Sequence, residues 1–150
     1  MRRAIELARK GMLAGEGGPF GAVIVRGGEI VGEGWNRVLA TNDPTAHGEV
    51  VAIRDACAKA RSFSLAGCEI YTTGQPCPMC LGAIHWAHIG AIRYGFDVLD
   101  AERLGFSDSE FFRQFSLPAG ERIIPETQLC RAEALELAEE YLSLDDRASY

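Results

Sequence analysis

Apolar residues recur along the chain at two different spacings, and the spacing changes from one segment to the next. Residues 2–14 carry Ile5, Ala8 and Met12 at helical spacing, and the glycine-rich stretch 15–18 ends this segment. The first segment is therefore predicted to be a helix that packs through this apolar face.

Two short apolar runs follow, at residues 22–25 and 29–31. They flank Gly27 and Gly28, a pair that suits the positive φ angles of a tight hairpin turn. This pattern predicts two antiparallel strands.

Helical and strand-like segments then alternate. The predicted elements are a helix over 46–60, a strand over 69–72, a helix over 77–88 and a strand over 91–94. Such alternation favours an α/β fold, a three-layer α/β/α sandwich with a mixed sheet.

The pattern is weaker after residue 96. It predicts short helices over 100–104 and 109–115, an edge strand over 121–124 that brings the sheet to roughly five strands, and an amphipathic helix over 131–144. The polar end of the chain, 145–150, is by default a frayed terminus.

Composition narrows the class of protein. A chain of 150 residues with 47% hydrophobic residues predicts one domain over 1–150 that buries its own core. No apolar run reaches the ~20 residues that span a bilayer, and the start of the chain lacks a signal-peptide pattern. Five cysteines, an odd number, fit a reducing compartment, so we expect a soluble cytoplasmic protein with no membrane partner.

The charge balance bears on possible partners. The net charge is -6, with 21 acidic and 15 basic residues, and basic side chains form no large cluster. Nucleic-acid binding draws most of its affinity from Lys and Arg at phosphates. We therefore expect no nucleic-acid partner, which favours a small-molecule ligand.

Two motifs carry the candidate chemistry. His47-Gly48-Glu49 reads H-x-E, and residues 76–80 (PCPMC) read P-C-x-x-C. One imidazole and two thiolates, from His47, Cys77 and Cys80, can bind one Zn²⁺ per chain and leave the fourth position open. If Cys77 opens a helix, Cys80 follows one turn later and both sulfur atoms face the same point.

A structural zinc site with four protein ligands is the alternative. His85 and His88 would lie about 12 and 16 Å beyond Cys77 along the same helix, at about 1.5 Å per residue. A Zn–N bond of about 2.1 Å cannot bridge that distance. The motif therefore favours a catalytic site.

The open position indicates the reaction. Zinc lowers the pKa of water towards about 7, so hydroxide is available for attack at neutral pH. Glu49 is free to shuttle protons to a ring nitrogen and the leaving amine. This combination predicts hydrolytic deamination of a heterocyclic carbon.

The two motifs resemble the zinc signature of the cytidine deaminase superfamily, and further blocks resemble its bacterial guanine deaminases. These blocks lie in the same order at residues 17–23 (GGPFGAV), 41–47 (TNDPTAH), 80–84 (CLGAI) and 105–109 (GFSDS). The resemblance covers nearly the whole chain and implies a cytidine deaminase-like fold that converts guanine to xanthine and ammonia. Alternatives left open are an adenosine (tRNA) or cytosine/cytidine-type deaminase on the same fold, and a non-catalytic zinc-binding interaction module.

Two positions depart from the family pattern. Gly48 stands where the family usually has Ala, and Gln75 where it usually has Glu. Neither change removes a zinc ligand or the proton shuttle. Gly48 would cost about 1 kcal/mol in helix propensity relative to Ala.

The resemblance also implies substrate contacts. The matching positions are Asn36, Phe20, Ala46, Trp86 and Asp108. Asn36 could instead be a turn residue, Trp86 a core residue and Asp108 a solvated loop acid.

In the family, a C-terminal segment closes the active site, in some members from the partner subunit. The resemblance implies that residues 131–150 form such a lid, with Tyr150 at the substrate, in a homodimer that is possibly domain-swapped.

Overall fold

A computed structural model describes residues 1–148 of the chain. The elements in chain order are α1 (Arg2–Leu13), β1 (Gly21–Arg26), β2 (Glu29–Trp35), α2 (Val38–Thr41), α3 (Gly48–Ala60), β3 (Cys68–Gly74), α4 (Pro78–Trp86), β4 (Ala91–Phe96), α5 (Val98–Arg103), α6 (Asp108–Ser116) and α7 (Arg131–Leu142). No helix among the described residues is long and apolar enough to cross a membrane.

The strands form a mixed sheet in the order β2-β1-β3-β4. β1 pairs antiparallel with β2 and β3, whereas β3 and β4 are parallel. Gly27 and Gly28, at φ 57 and 88, make the predicted hairpin turn. The α/β sandwich with a mixed sheet is confirmed.

The sheet has four strands in the described part of the chain, one fewer than expected. Residues 121–124 do not form the expected edge strand, because a 3-10 turn at Ala119–Glu121 includes the first of them and Ile123 N donates to the side chain of Gln114 at 2.8 Å. Ile123 and Ile124 are 72% and 77% exposed. A backbone segment with no neighbouring strand lacks the ladder partners that define a strand.

Successive side chains of β1 pack into two hydrophobic cores on opposite faces of the sheet. Ala22 and Ile24 belong to a cluster that includes Ala52 of α3 and Ile84 of α4. Val23 packs on the other face with Ala4 and Leu7 of α1. The sheet thus lies between α1 on one side and α3 with α4 on the other.

The predicted packing face of α1 is partly wrong. Ile5 and Met12 are 41% and 43% exposed, and the buried residues are Ala4, Leu7, Ala8 and Gly11. Small side chains face the sheet because the backbone comes close there: a Cβ on Gly21 would lie 2.2 Å from Ala4 O.

The predicted helix over 77–88 is also shorter than expected. α4 ends at Trp86, and His88 takes a left-handed conformation at φ 57. His88 therefore lies beyond the end of the helix, and its predicted distance along the helix axis from Cys77 does not apply. Its Nδ1 lies 3.4 Å from Ser64 Oγ.

The chain divides into two units, Met1–Phe112 and Arg113–Tyr150. The first contains the whole sheet and both core clusters. In the second, no described residue is buried.

Candidate active site

The three predicted zinc ligands lie at the N-terminal ends of two helices. His47 is the N-cap of α3, and Cys77 is the N-cap of α4, both with extended backbone. Pro78 occupies the first turn of α4, where its fixed φ suits the start of a helix. Cys80 follows in that first turn, so its sulfur lies beside that of Cys77.

These ligand atoms have the spacing of a metal site. His47 Nδ1 lies 3.7 Å from Cys77 Sγ and 3.6 Å from Cys80 Sγ. Bond lengths of about 2.1 Å to nitrogen and 2.3 Å to sulfur around tetrahedral zinc require N–S separations of about 3.6 Å. The donor set and its geometry fit Zn²⁺.

Other candidate ligands do not join this group. Among the described residues, His47, Cys77 and Cys80 form the only set of three or more such side chains whose ligand atoms could share an ion. His85 and His88 are outside it. Three protein ligands are the number typical of a catalytic zinc site.

The charges at the site suit metal binding. A hydrogen bond from the Cys80 thiol, together with the contact to His47, lowers the pKa of Cys77 to about 4. The same contact with Cys77 raises the pKa of His47. Cys77 is therefore available as the thiolate that zinc requires. The same hydrogen bond raises the pKa of Cys80, whose proton zinc binding would release.

Glu49 lies in the first turn of α3, two residues after His47. It is only 5% exposed, and this burial raises the pKa of its carboxyl group. A carboxyl group whose pKa moves towards neutrality can both accept and return a proton. Its position beside the ligands suits it for acid–base catalysis.

A cavity of about 450 Å³ opens beside these residues. Its walls come from the loop before β1, the residue after β2, α2 and the loop that follows it, the start of α3, and the segments that lead into α4 and α6. They are lined by Gly17, Gly18, Phe20, Asn36, Val38, Leu39, Pro44, His47, Glu49, Gln75, Cys77, Phe106 and Asp108.

Three of the predicted substrate contacts lie in this cavity with His47 and Glu49: Asn36, Phe20 and Asp108. Asn36 is 5% exposed, and its Oδ1 accepts a hydrogen bond from Val38 N at 3.2 Å. Burial raises the pKa of Asp108. The contacts of these three residues with a substrate stay predictions.

The other predicted contacts are placed differently. Ala46 is buried next to His47 but does not line the cavity, and its carbonyl oxygen accepts from Arg37 N at 2.9 Å. Trp86 is 64% exposed at the end of α4 and does not line the cavity either. Tyr150 lies outside the described residues.

Phe106 is a cavity residue that sequence reasoning does not single out. Its ring meets that of Phe20 edge-on, with centroids 4.8 Å apart and planes at 88°. The sequence feature that could have indicated it is its position two residues before Asp108, a predicted substrate contact. Gln75, noted only as a departure from the family pattern, also lines the cavity.

Similarity to known proteins supports the interpretation of this site as the zinc site of a deaminase. Residues 1–96 match the family described as the cytidine and deoxycytidylate deaminase zinc-binding region. The chain is 45% identical to the guanine deaminase of Bacillus subtilis over 150 residues, covering 100% of this chain and 96% of that protein. It is 37% identical to the tRNA-specific adenosine deaminase of Haemophilus influenzae over 118 residues, covering 78% and 67%.

Solved structures of guanine deaminases also resemble this chain. The X-ray structure of Bacillus subtilis guanine deaminase matches with a TM-score of 0.95 and 46% identity, over 99% of this chain and 95% of that one. The guanine deaminase of Nitrosomonas europaea matches with a TM-score of 0.66 and 28% identity, over 94% and 81%. With the histidine, the two cysteines and the buried glutamate in place, this chain belongs to the cytidine and deoxycytidylate deaminase family of zinc-dependent enzymes.

Proposed function

We propose that this chain catalyses the hydrolysis of guanine to xanthine and ammonia. The observation that carries the proposal is the buried Glu49 at the wall of a cavity that two of the zinc ligands, His47 and Cys77, also line. When bound, zinc supplies Lewis-acid activation of water for attack on the ring carbon.

The chain's own residues supply the remaining steps. The Glu49 carboxylate accepts one proton as water adds to the carbon and passes it to the ring nitrogen. It then accepts the proton of the new hydroxyl group and delivers it to the departing amine. The C–N bond to the amine breaks as ammonia leaves, so one water is consumed for each ammonia released.

We propose that the residues lining the cavity bind the purine. The amide of Asn36 and the carboxylate of Asp108 are polar groups suited to the polar edge of a purine, and both line the cavity. Phe20 and Phe106 offer aromatic surface to a planar ring. Val38, Leu39 and Pro44 add apolar surface to the cavity wall.

The choice of guanine rests on the full-length likeness to a guanine deaminase and on charge. The tRNA deaminase match covers less of this chain, and a net charge of -6 disfavours a polyanionic substrate. A cytoplasmic location is part of the proposal, and its support is the odd count of five cysteines, which fits a reducing compartment. An adenosine or cytidine-type deaminase remains the second candidate, since the zinc motif serves that chemistry equally.

The test is ammonia release from guanine, adenosine, cytosine and cytidine, with zinc determined on the same sample. We expect turnover of guanine to exceed that of the other three. Preferential turnover of adenosine or cytidine would overturn the substrate assignment, and no turnover by a zinc-loaded protein would leave only a binding role.

We also propose that the chain acts as a homodimer in which the C-terminal segment, about 131–150, closes the active site over bound substrate. Support comes from the large apolar side chains of α7, since Leu135, Leu137 and Leu142 are 43%, 67% and 55% exposed. Burial of such surface favours association with a second copy. Sedimentation of the zinc-loaded protein should give twice the chain mass of 16.3 kDa.

A further inference from the structure

Glu16 lies in the loop between α1 and β1, next to Gly17 and Gly18 of the cavity wall. Its Oε2 accepts a hydrogen bond from Trp35 Nε1 at 2.7 Å and a second from Arg37 Nε at 3.2 Å. One carboxylate oxygen thus joins the side chains on either side of Asn36.

The backbone of Glu16 makes further ties to the same region. Its carbonyl oxygen accepts from the N–H groups of Leu39 and Ala40 at 3.1 and 3.2 Å, and its own N–H donates to Gly11 O at 3.0 Å. Glu16 therefore connects the end of α1 to the segment that carries Asn36.

Trp35 is held on its other sides as well. Gly11 of α1 lies directly against its ring, since a Cβ there would come within 2.2 Å of Trp35 Cδ1. Lys10 Nζ lies 4.8 Å from the ring centroid, and the Arg37 guanidinium carbon lies 5.8 Å from it. The Glu16 carboxylate completes a cluster next to Asn36. We define this cluster as Lys10, Glu16, Trp35 and Arg37.

Asn36 has little room to tolerate movement of this cluster. A Cβ on Gly17 would lie 2.0 Å from Asn36 Oδ1, so the loop of Glu16 touches the amide directly. A shift of that loop or of Trp35 would move the amide within the cavity.

We propose that Glu16 is a positioning residue that fixes the Asn36 amide for purine binding by bridging Trp35 and Arg37. The proposal rests on the proposed function for its substrate. The described hydrogen bonds of Glu16 go to Asn36's neighbours and to the backbone of the adjacent segments, not to the zinc ligands or Glu49. Its loss should therefore weaken substrate binding and leave zinc and proton transfer intact.

The test compares Glu16→Ala and Glu16→Gln with a matched control, Glu33→Ala. Glu33 also links α1 to β2, through Arg3 at 2.7 Å, but the hydrogen bonds of its side chain go to Arg3 and not to the neighbours of Asn36. We expect Glu16→Ala to raise KM for guanine about fivefold or more, with kcat within about twofold of wild type. Glu16→Gln should fall between, because its amide oxygen can still accept from Trp35 Nε1 but loses the charge facing Arg37.

Zinc content and KM should be unchanged in Glu33→Ala. An equal rise of KM in both alanine variants, or loss of zinc or kcat in Glu16→Ala without a change in KM, would overturn the proposal. If Glu16→Ala does not fold, an unchanged KM in Glu16→Gln overturns it instead.

A second readout separates this proposal from the proposed function. In NMR spectra of the zinc-loaded proteins, the side-chain amide of Asn36 and the backbone amide of Val38 should shift in Glu16→Ala and not in Glu33→Ala. This holds even if the wild-type protein does not act on guanine. Unshifted Asn36 resonances in Glu16→Ala would contradict the positioning role whatever the substrate.

Discussion

At the scale of single residues, the proposed roles separate ion binding from proton transfer. His47, Cys77 and Cys80 bring their ligand atoms close together, whereas Glu49, two residues after His47, is buried and is proposed to exchange protons. The two tasks should therefore respond differently to substitution.

Cys77→Ala removes one of the three ligands, and two ligands cannot hold the ion with catalytic geometry. We expect wild type to carry one zinc per chain, and the variant to lose both the zinc and at least about a hundredfold in activity. Metal analysis and ammonia release measure this. Cys57→Ala is the control, because Cys57 is a half-buried cysteine outside the cluster. Full zinc occupancy in Cys77→Ala would refute the ligand assignment.

Glu49→Gln keeps the size of the side chain but removes the carboxyl group that we propose exchanges protons. Because a placed acid or base contributes about 10²–10⁴ in rate, kcat for guanine should fall at least about a hundredfold. Zinc content should remain that of wild type, since Glu49 is outside the ligand group. Steady-state kinetics and metal analysis check both, with Glu33→Gln as the control. A kcat near that of wild type would rule out the proton shuttle.

At the scale of elements, the position of α3 depends on glycines in β2. Cβ atoms added at Gly32 and Gly34 would lie 2.6 Å and 2.4 Å from backbone atoms of α3. The helix that carries Glu49 and follows His47 therefore packs with its backbone against the strand. A side chain at either glycine must therefore displace α3.

Gly34→Ala should therefore destabilise the fold by about 1–3 kcal/mol, since the clash is with backbone that cannot rotate away. The midpoint of urea unfolding of the zinc-loaded protein measures the loss. Gly82→Ala on α4 is the control: a Cβ there meets nothing within 4 Å, and alanine favours the helix. Equal unfolding midpoints for the two variants would contradict the close approach of α3 to β2.

At the scale of the whole molecule, the two units differ in how much they bury. The first contains both core clusters, whereas the described residues of the second are half-buried or exposed. A segment of this size with so little buried surface gains little from the hydrophobic effect by itself. This is why we propose that a second copy covers it.

Removal of residues 146–150 tests the proposed lid. We expect a folded, zinc-loaded dimer whose kcat/KM for guanine is at least about tenfold lower, because an open site admits water and loses contacts with the substrate. Kinetics, metal analysis and sedimentation of the truncated protein measure the three properties. An undiminished kcat/KM would return the tail to the role of a frayed terminus.

Much of the fold was predictable because its signals are local. The Gly27-Gly28 turn, the helix start at Pro78 and the apolar run of β1 depend on neighbours within a few residues. The predicted strand over 121–124 failed for the complementary reason. A strand exists only where another strand offers its hydrogen-bonding edge, and a local sequence pattern does not say whether one does.

The sequence by itself determined the chemistry: an imidazole, two thiolates and a carboxylate at spacings that helix starts bring together. Tertiary structure alone decided which other side chains share the cavity. It placed Phe106 there and left Trp86 outside, and it set Glu16 behind Asn36 through contacts with Trp35 and Arg37. These partners are about twenty residues or more apart along the chain, so only the packing of the elements specifies their contacts.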